Sequence, residues 1–212
     1  MKLFTNSNNI NSLKLLVSSS LAKLDMDVVY VSPTKDSKDT LPVLEVGGSK
    51  LFMPGSAAVF LMQEGGMLRE EELHQLETLL EWEATTLYPV VVSLLQHKQA
   101  GDQVIMTQLR SLLAVMEDTL VKQEHLAGSS LSVVDVLVWC DLYPVMTDTR
   151  MRKELAKLTK TCSWFDRLGQ NTSFSSSLAK FSTGMDGCRT ASLSLLSLHH
   201  QAKTAPLCSL GV

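Results

Sequence analysis

Several features that would assign a role at once are missing from this sequence. No apolar run approaches the roughly 20 residues needed to cross a bilayer, so a membrane-spanning chain is not expected. The opening stretch turns polar after Phe4 and lacks the apolar core of a secretory signal. A reducing, cytoplasmic setting is the expectation that follows. The four cysteines, Cys140, Cys162, Cys188 and Cys208, are widely spaced and form no C-x-x-C pair, which removes a zinc knuckle or a thioredoxin-type redox motif. A basic excess is also absent: 19 Lys and Arg stand against 22 Asp and Glu, for a net charge of −3. That balance argues against free-standing nucleic-acid binding. There is no G-x-x-x-x-G-K-S/T phosphate loop and no G-x-G-x-x-G turn. His74, His97, His125, His199 and His200 show no ligand spacing with Cys, Asp or Glu, so neither a metal nor a cofactor is expected on this chain.

What is present is the composition of a globular protein: 45% hydrophobic and 19% charged over 212 residues, enough for one large domain or two small ones. Residues 1–65 alternate between two periods. Lys2 to Thr5 is a strand candidate, and Asn11 to Leu24 places Leu13, Leu16, Val17, Leu21 and Leu24 at helical spacing. Asp27 to Val31 is a β-branched strand. Leu41 to Val46, the Gly47-Gly48 turn and Ser49 to Met53 predict a hairpin, and Gly55 to Gln63 a short helix. Pro42 opens a strand, where a missing N–H is tolerable; the sequence leaves its isomer open.

After Gly65-Gly66 the pattern is helical throughout. Arg69 to Leu95 is expected to be a long helix that Pro89 kinks or ends near its tail. Val104 to Lys122 repeats the period. Ser132 to Tyr143 is apolar nearly all round, the mark of a helix buried in a bundle. Glu154 to Leu168 carries Leu155, Leu158, Cys162 and Phe165 on one stripe. From Ser173 on, Ser and Leu dominate, and residues 184–212 are expected to be a disordered tail. The division expected is therefore a thioredoxin-like α/β half at 1–65, an all-α half at 69–181, and that tail.

The sharpest local signal is Gly128-Ser-Ser-Leu-Ser132-Val-Val-Asp135. Ser132 can accept the N–H three residues on, and Asp135 can reach back to the Ser132 N–H, a capping box with Asp in place of Glu. The expected role is structural. Arg150, Arg152, Lys153, Lys157 and Lys160 form the single basic cluster; it reads as a solvated helix face or as a contact with tRNA phosphates or an acidic partner. Glu70-Glu71-Glu72 suits a helix N-terminus, where the dipole favours negative charge.

Taken together, the β-α-β-hairpin-α module, the strand-opening proline and the Gly-x-x-x-Ser-x-x-Asp box before a buried helix resemble the glutathione-transferase fold. Leu80-Glu-Trp-Glu-Ala-Thr-Thr-Leu-Tyr-Pro89 is similar to the LEWEAT-x-L-x-P stretch in the N-terminal appendix of animal cytoplasmic methionyl-tRNA synthetases. Leu126-Ala-Gly128, Val134-Asp-Val-Leu-Val-Trp139, Leu142-Tyr-Pro144, the opening Met1-Lys-Leu-Phe4 and Ser163-Trp-Phe165 fit the same appendix. The resemblance covers roughly residues 1–180. It implies a non-catalytic assembly domain that docks onto other transferase-like domains of a multi-synthetase complex, notably a small scaffold partner of the same fold. It implies docking through the helix after the fourth strand and the first long helix, which present Ala57, Phe60, Leu61 and Glu64, then Leu73, Glu77 and Glu81. Phe60 is either an exposed anchor or core. The H-I-G-H-like and K-M-S-K-S-like motifs of a ligase body do not occur, so the chain is expected to be an excised domain or short isoform of a longer ligase.

Two rivals share the fold. An active glutathione transferase would need a hydroxyl or thiol after the first strand, for which Ser7 is the candidate, with backbone pairing beside Pro42 and Val43 and a hydroxyl from Ser56. Pro54-Gly55 stands where that family carries an acidic residue or Gln. The other rival is a scaffold or elongation-factor subunit of the same fold.

Overall fold

The computed structural model describes residues 1–6, 9–31, 41–96 and 102–183. The proposed position of Ser7 and the expected tail at 184–212 lie outside them, as do Cys188, Cys208, His97, His199 and His200.

The chain opens with β1 (Lys2–Thr5), α1 (Ile10–Leu21), β2 (Asp27–Tyr30), β3 (Val43–Val46), β4 (Ser49–Leu51) and α2 (Pro54–Glu64). The sheet order is β2-β1-β3-β4, with β1 parallel to β2 and antiparallel to β3, and β3 antiparallel to β4. Gly47 and Gly48 make the β3–β4 turn at φ +57° and +87°, the left-handed region that a two-residue hairpin needs and that glycine adopts without steric cost. The Leu41–Pro42 peptide is cis.

α1 is more buried than its amphipathic spacing suggests: every described residue from Ile10 to Ser19 is covered. It packs on α2, α6 and α9. It also stops at Leu21, short of Leu24, because Lys23 turns into a positive φ of 55°. Where α1 ends, Gly65 caps α2 against it; a Cβ there would lie 2.4 Å from the Ala22 Cβ, so only glycine fits.

The second half comprises α3 (Glu70–Trp82), a π turn (Glu83–Leu87), α4 (Tyr88–Gln96), α5 (Asp102–Lys122), α6 (Val133–Thr147), α7 (Thr149–Leu155), α8 (Thr159–Gln170) and α9 (Thr172–Thr183). The long helix expected over Arg69 to Leu95 is thus interrupted, but ahead of Pro89 rather than at it. The π turn widens the spiral so that the Tyr88 N–H bonds Glu83 O, and Pro89, which has no N–H to give, falls in the first turn of α4.

One expectation needs correction here. The single helix over Glu154 to Leu168 is broken at residues 156–158. α7 closes with Leu158 N–H on Leu155 O at 2.9 Å, and α8 starts afresh. Its new start is capped from elsewhere: Glu117 of α5 accepts the Lys160 and Thr161 N–H groups at 2.8 and 2.7 Å. Residues 172–183, at the end of the helical half, form a regular helix despite their serines. Phe174, Ser177 and Leu178 turn toward the core, while Ser175 and Ser177 hydroxyls bond carbonyls one turn back.

The core of the helical half is built around α6, every residue of which from Val133 to Leu142 is buried. Trp139 stacks on Phe165 at 5.0 Å and meets the edge of Phe174 at 4.9 Å, and its indole N–H donates to Phe165 O at 2.9 Å. Three helices are tied by that one side chain.

Candidate functional site

Four places were singled out by the sequence, and each can be built from its residues. At the start of α6, the Ser132 hydroxyl accepts the Asp135 N–H at 3.4 Å, and Asp135 accepts the Ser132 N–H at 3.0 Å. The carboxylate does more than close this box. It also accepts the Leu126 N–H, the Ser132 hydroxyl and the Trp164 indole N–H, at 2.7–2.9 Å. His125 Nδ1 lies 3.6 Å away. Gly128, at φ +140°, lets the preceding loop fold back so that Leu126 reaches the carboxylate. Burial alone would push the Asp135 carboxyl up, but the neighbouring His125 ring and the donated hydrogen bonds outweigh it and hold the group below the ordinary aspartate range. This is an anchor for a helix terminus, with its oxygens already engaged.

The positions proposed for a tripeptide are less accommodating. Pro42 and Val43 are buried, and Val43 is committed to the pairing of β3 with β1. Leu41 O accepts from Asn9 Nδ2 at 3.1 Å, and the other end of the Asn9 amide caps α1. The Thr5 and Ser12 hydroxyls bond each other and are both buried. Ser56 is exposed in the first turn of α2, whose N-cap residue Met53 offers no side-chain bond.

The third place is the outer sides of α2 and α3. Here two of the interface candidates need correction: Ala57 and Leu61 are 1% and 0% exposed and belong to the core, because they are on the side of α2 that meets α1 and α6. The opposite side carries Met53, Ser56, Phe60 and Glu64 in succession; Glu64 is exposed and Phe60 half-buried against the core. On α3 only Leu76 is buried among the described side chains. Leu73, Leu79 and Leu80 are half-buried, and Glu77 and Glu81 are exposed. Phe52, Met53 and Met67, which flank α2, are 45%, 69% and 44% exposed. Sequence reading missed these three, although apolar residues next to a hairpin end and a helix end were visible.

In the basic cluster, Arg152 is held by Asp166 at 2.6–2.8 Å. Arg150, Lys153, Lys157 and Lys160 are exposed.

A further group went unnoticed in the sequence. Lys14 of α1, Glu83 of the π turn and Asp141 of α6 meet with side-chain exposures of only 4%, 4% and 0%. Lys14 Nζ is 2.7 Å from both Glu83 Oε1 and Asp141 Oδ1 and 4.5 Å from the centroid of the Tyr88 ring, whose hydroxyl accepts from Asn11 Nδ2 at 2.9 Å. Burial opposes the Lys14 charge, but the negative charge beside it outweighs that cost and raises its pKa. The available signal was a lone lysine inside Ser-Leu-Lys-Leu-Leu and a lone aspartate inside Val-Trp-Cys-Asp-Leu.

Comparison with known proteins agrees with this geometry. Residues 72–170 match the family model "Glutathione S-transferase, C-terminal domain". Among solved structures, poplar glutathione transferase F1 superposes with a TM-score of 0.76 at 11% identity, covering 86% of this chain and 98% of that one. Glutathione S-transferase III in its apo form gives 0.73 at 20% identity, covering 85% and 96%. By sequence, the chain is 29% identical over 184 residues to methionine–tRNA ligase, cytoplasmic, of Mus musculus, covering 79% of this chain and 20% of the relative. It is 26% identical to the Xenopus laevis protein of the same name, covering 80% and 19%. The chain spans about a fifth of the length of these curated relatives. Among the described residues no helix is long and apolar enough to cross a membrane. The chain thus has the glutathione-transferase fold, with a thioredoxin-like N-terminal half and a helical half of the glutathione S-transferase C-terminal type, and is a sequence relative of the cytoplasmic methionine–tRNA ligases.

Proposed function

We propose that this chain is a non-catalytic docking module of methionyl-tRNA synthetase type, which joins a multi-synthetase complex in the cytoplasm by pairing with another glutathione-transferase-like domain. The observation that carries the reading is made on the outer sides of α2 and α3. On α3 one described side chain is buried and Leu73, Leu79 and Leu80 are half-buried; Phe60 on α2 is half-buried, Phe52, Met53 and Met67 at its ends are exposed, and Glu64, Glu77 and Glu81 are exposed charges on the same two helices. An apolar centre with a charged rim is the usual anatomy of a protein–protein interface. Phe60 and Leu73 supply the centre, and the glutamates favour a partner with basic residues at its edge. Contact with tRNA is weak or indirect on this reading, since Asp166 already neutralises Arg152.

The test is capture of synthetase-complex components by the purified chain, run beside immobilised glutathione. Retention of a transferase-like partner, lost on Phe60→Glu, is the expected outcome. Glutathione retention with turnover and no partner would replace the proposal with the enzymatic reading.

A further inference from the structure

The Lys14–Glu83–Asp141 cluster joins elements from both halves: α1 of the first, the π turn and α6 of the second. It holds one cation and two carboxyl groups, all but closed to water. If both carboxyls were ionised, the cluster would keep a net negative charge in a low-dielectric site, which is costly. The hydrogen-bond geometry separates the two. Lys14 Nζ donates to Glu83 Oε1 at 2.7 Å. Neither Asp141 oxygen accepts a hydrogen bond, although Lys14 Nζ is close to one of them. Asp141 is also mid-helix, where no free backbone N–H can serve it.

Among the described residues, Lys14 is the cation that acts on Asp141. α4 contributes the neutral Tyr88 ring and α6 the neighbouring Cys140, whose thiol burial pushes up. α2 turns Ala57, Ala58, Leu61 and Met62 inward, and α9 turns Phe174 and Ser177.

We propose that Asp141 is protonated in the folded protein and that Lys14, Glu83 and Asp141 form a neutral, proton-holding latch between the two halves. The Asp141 carboxyl proton points to Glu83, whose carboxylate pairs with the Lys14 ammonium. Burial raises the Asp141 carboxyl, the Lys14 ammonium opposes it, and Glu83 adds to the rise, which leaves Asp141 well above the ordinary aspartate range, in keeping with this arrangement. Folding then takes up about one proton in the pH range where an unfolded aspartate is ionised. Rising pH therefore weakens the latch, and the halves loosen where Asp141 finally ionises.

Infrared spectroscopy of the full chain at neutral pH tests this directly. A protonated-carboxyl C=O stretch is expected in the native protein and absent in Asp141→Asn. Its absence from the native protein, or its survival in the variant, overturns the assignment. Asn mimics the neutral acid in size and can donate to Glu83 in the same way. Asp141→Asn is therefore expected to fold normally at neutral pH, and failure to fold also overturns the proposal. The dependence of unfolding stability on pH should lose about one proton's slope in the variant relative to the native chain, while an unchanged slope counts against the latch. Amide protection in α1 and the π turn, relative to the base-catalysed intrinsic exchange rate, should fall at alkaline pH in the native chain only.

Discussion

Asp135 and Asp141 lie in the same helix, both beyond reach of solvent, and they have opposite fates. Asp135 stands at the first turn of α6, where N–H groups from Leu126, Ser132 and Trp164 converge on it. Asp141 stands in the middle, where the helix has spent its N–H groups on itself; Lys14 Nζ lies close to it but donates to Glu83, and neither Asp141 oxygen accepts a hydrogen bond. One carboxyl is held below its ordinary range and the other above it. Depth of burial does not decide the charge of a carboxyl group; the number of donors aimed at it does.

Removing Lys14 should break this comparison hardest. Lys14→Met leaves the buried Glu83 carboxylate without a partner, and the expected loss is about 3–5 kcal/mol of stability in a denaturant titration. Asp135→Ala comes next. It strands the Leu126, Ser132 and Trp164 donors and removes a helix cap, for about 2–4 kcal/mol; an unchanged melting midpoint would refute the anchoring role. The two aspartates should also differ in the sign of their pH effect. The stability that Asp135 contributes is present above the ordinary aspartate value and lost as pH falls through its depressed folded value, so Asp135→Asn should flatten the acid limb of a melting curve against pH. The smallest effect on stability is expected at the exposed rim: Glu77→Lys with Glu81→Lys should stay within about 0.5 kcal/mol of the native chain, yet weaken partner capture if the outer sides of α2 and α3 dock.

The same contrast explains what could be read from the sequence. The Ser132–Asp135 box is local, so spacing alone reveals it. The alternation of strand and helix before Gly65 is local too. Lys14 and Glu83 are 69 positions apart, and Glu117 caps α8 from 43 positions away. No periodicity records such pairings. The break between α7 and α8 went unseen for that reason: the cap that makes a second start possible belongs to α5. On α2 the resemblance pointed to Ala57, Phe60, Leu61 and Glu64, and of these Phe60 and Glu64 lie on the outer side. It could not tell which stripe faced α1, so Ala57 and Leu61 were assigned to the wrong side.

The packing of α9 on α1 carries a consequence for synthesis. α9 is made last among the described elements, yet it covers the first helix, and the Tyr30 hydroxyl on the outer strand donates to the carbonyl of Lys180 at 3.0 Å. At a translation rate of 5–20 residues per second, the thioredoxin-like half waits on the order of 6–25 s on the ribosome before its cover emerges. During that interval the α1 side chains destined for α6 and α9 are open to other chains. Expression of residues 1–65 alone would make that interval permanent, and the fragment should aggregate where the full chain does not.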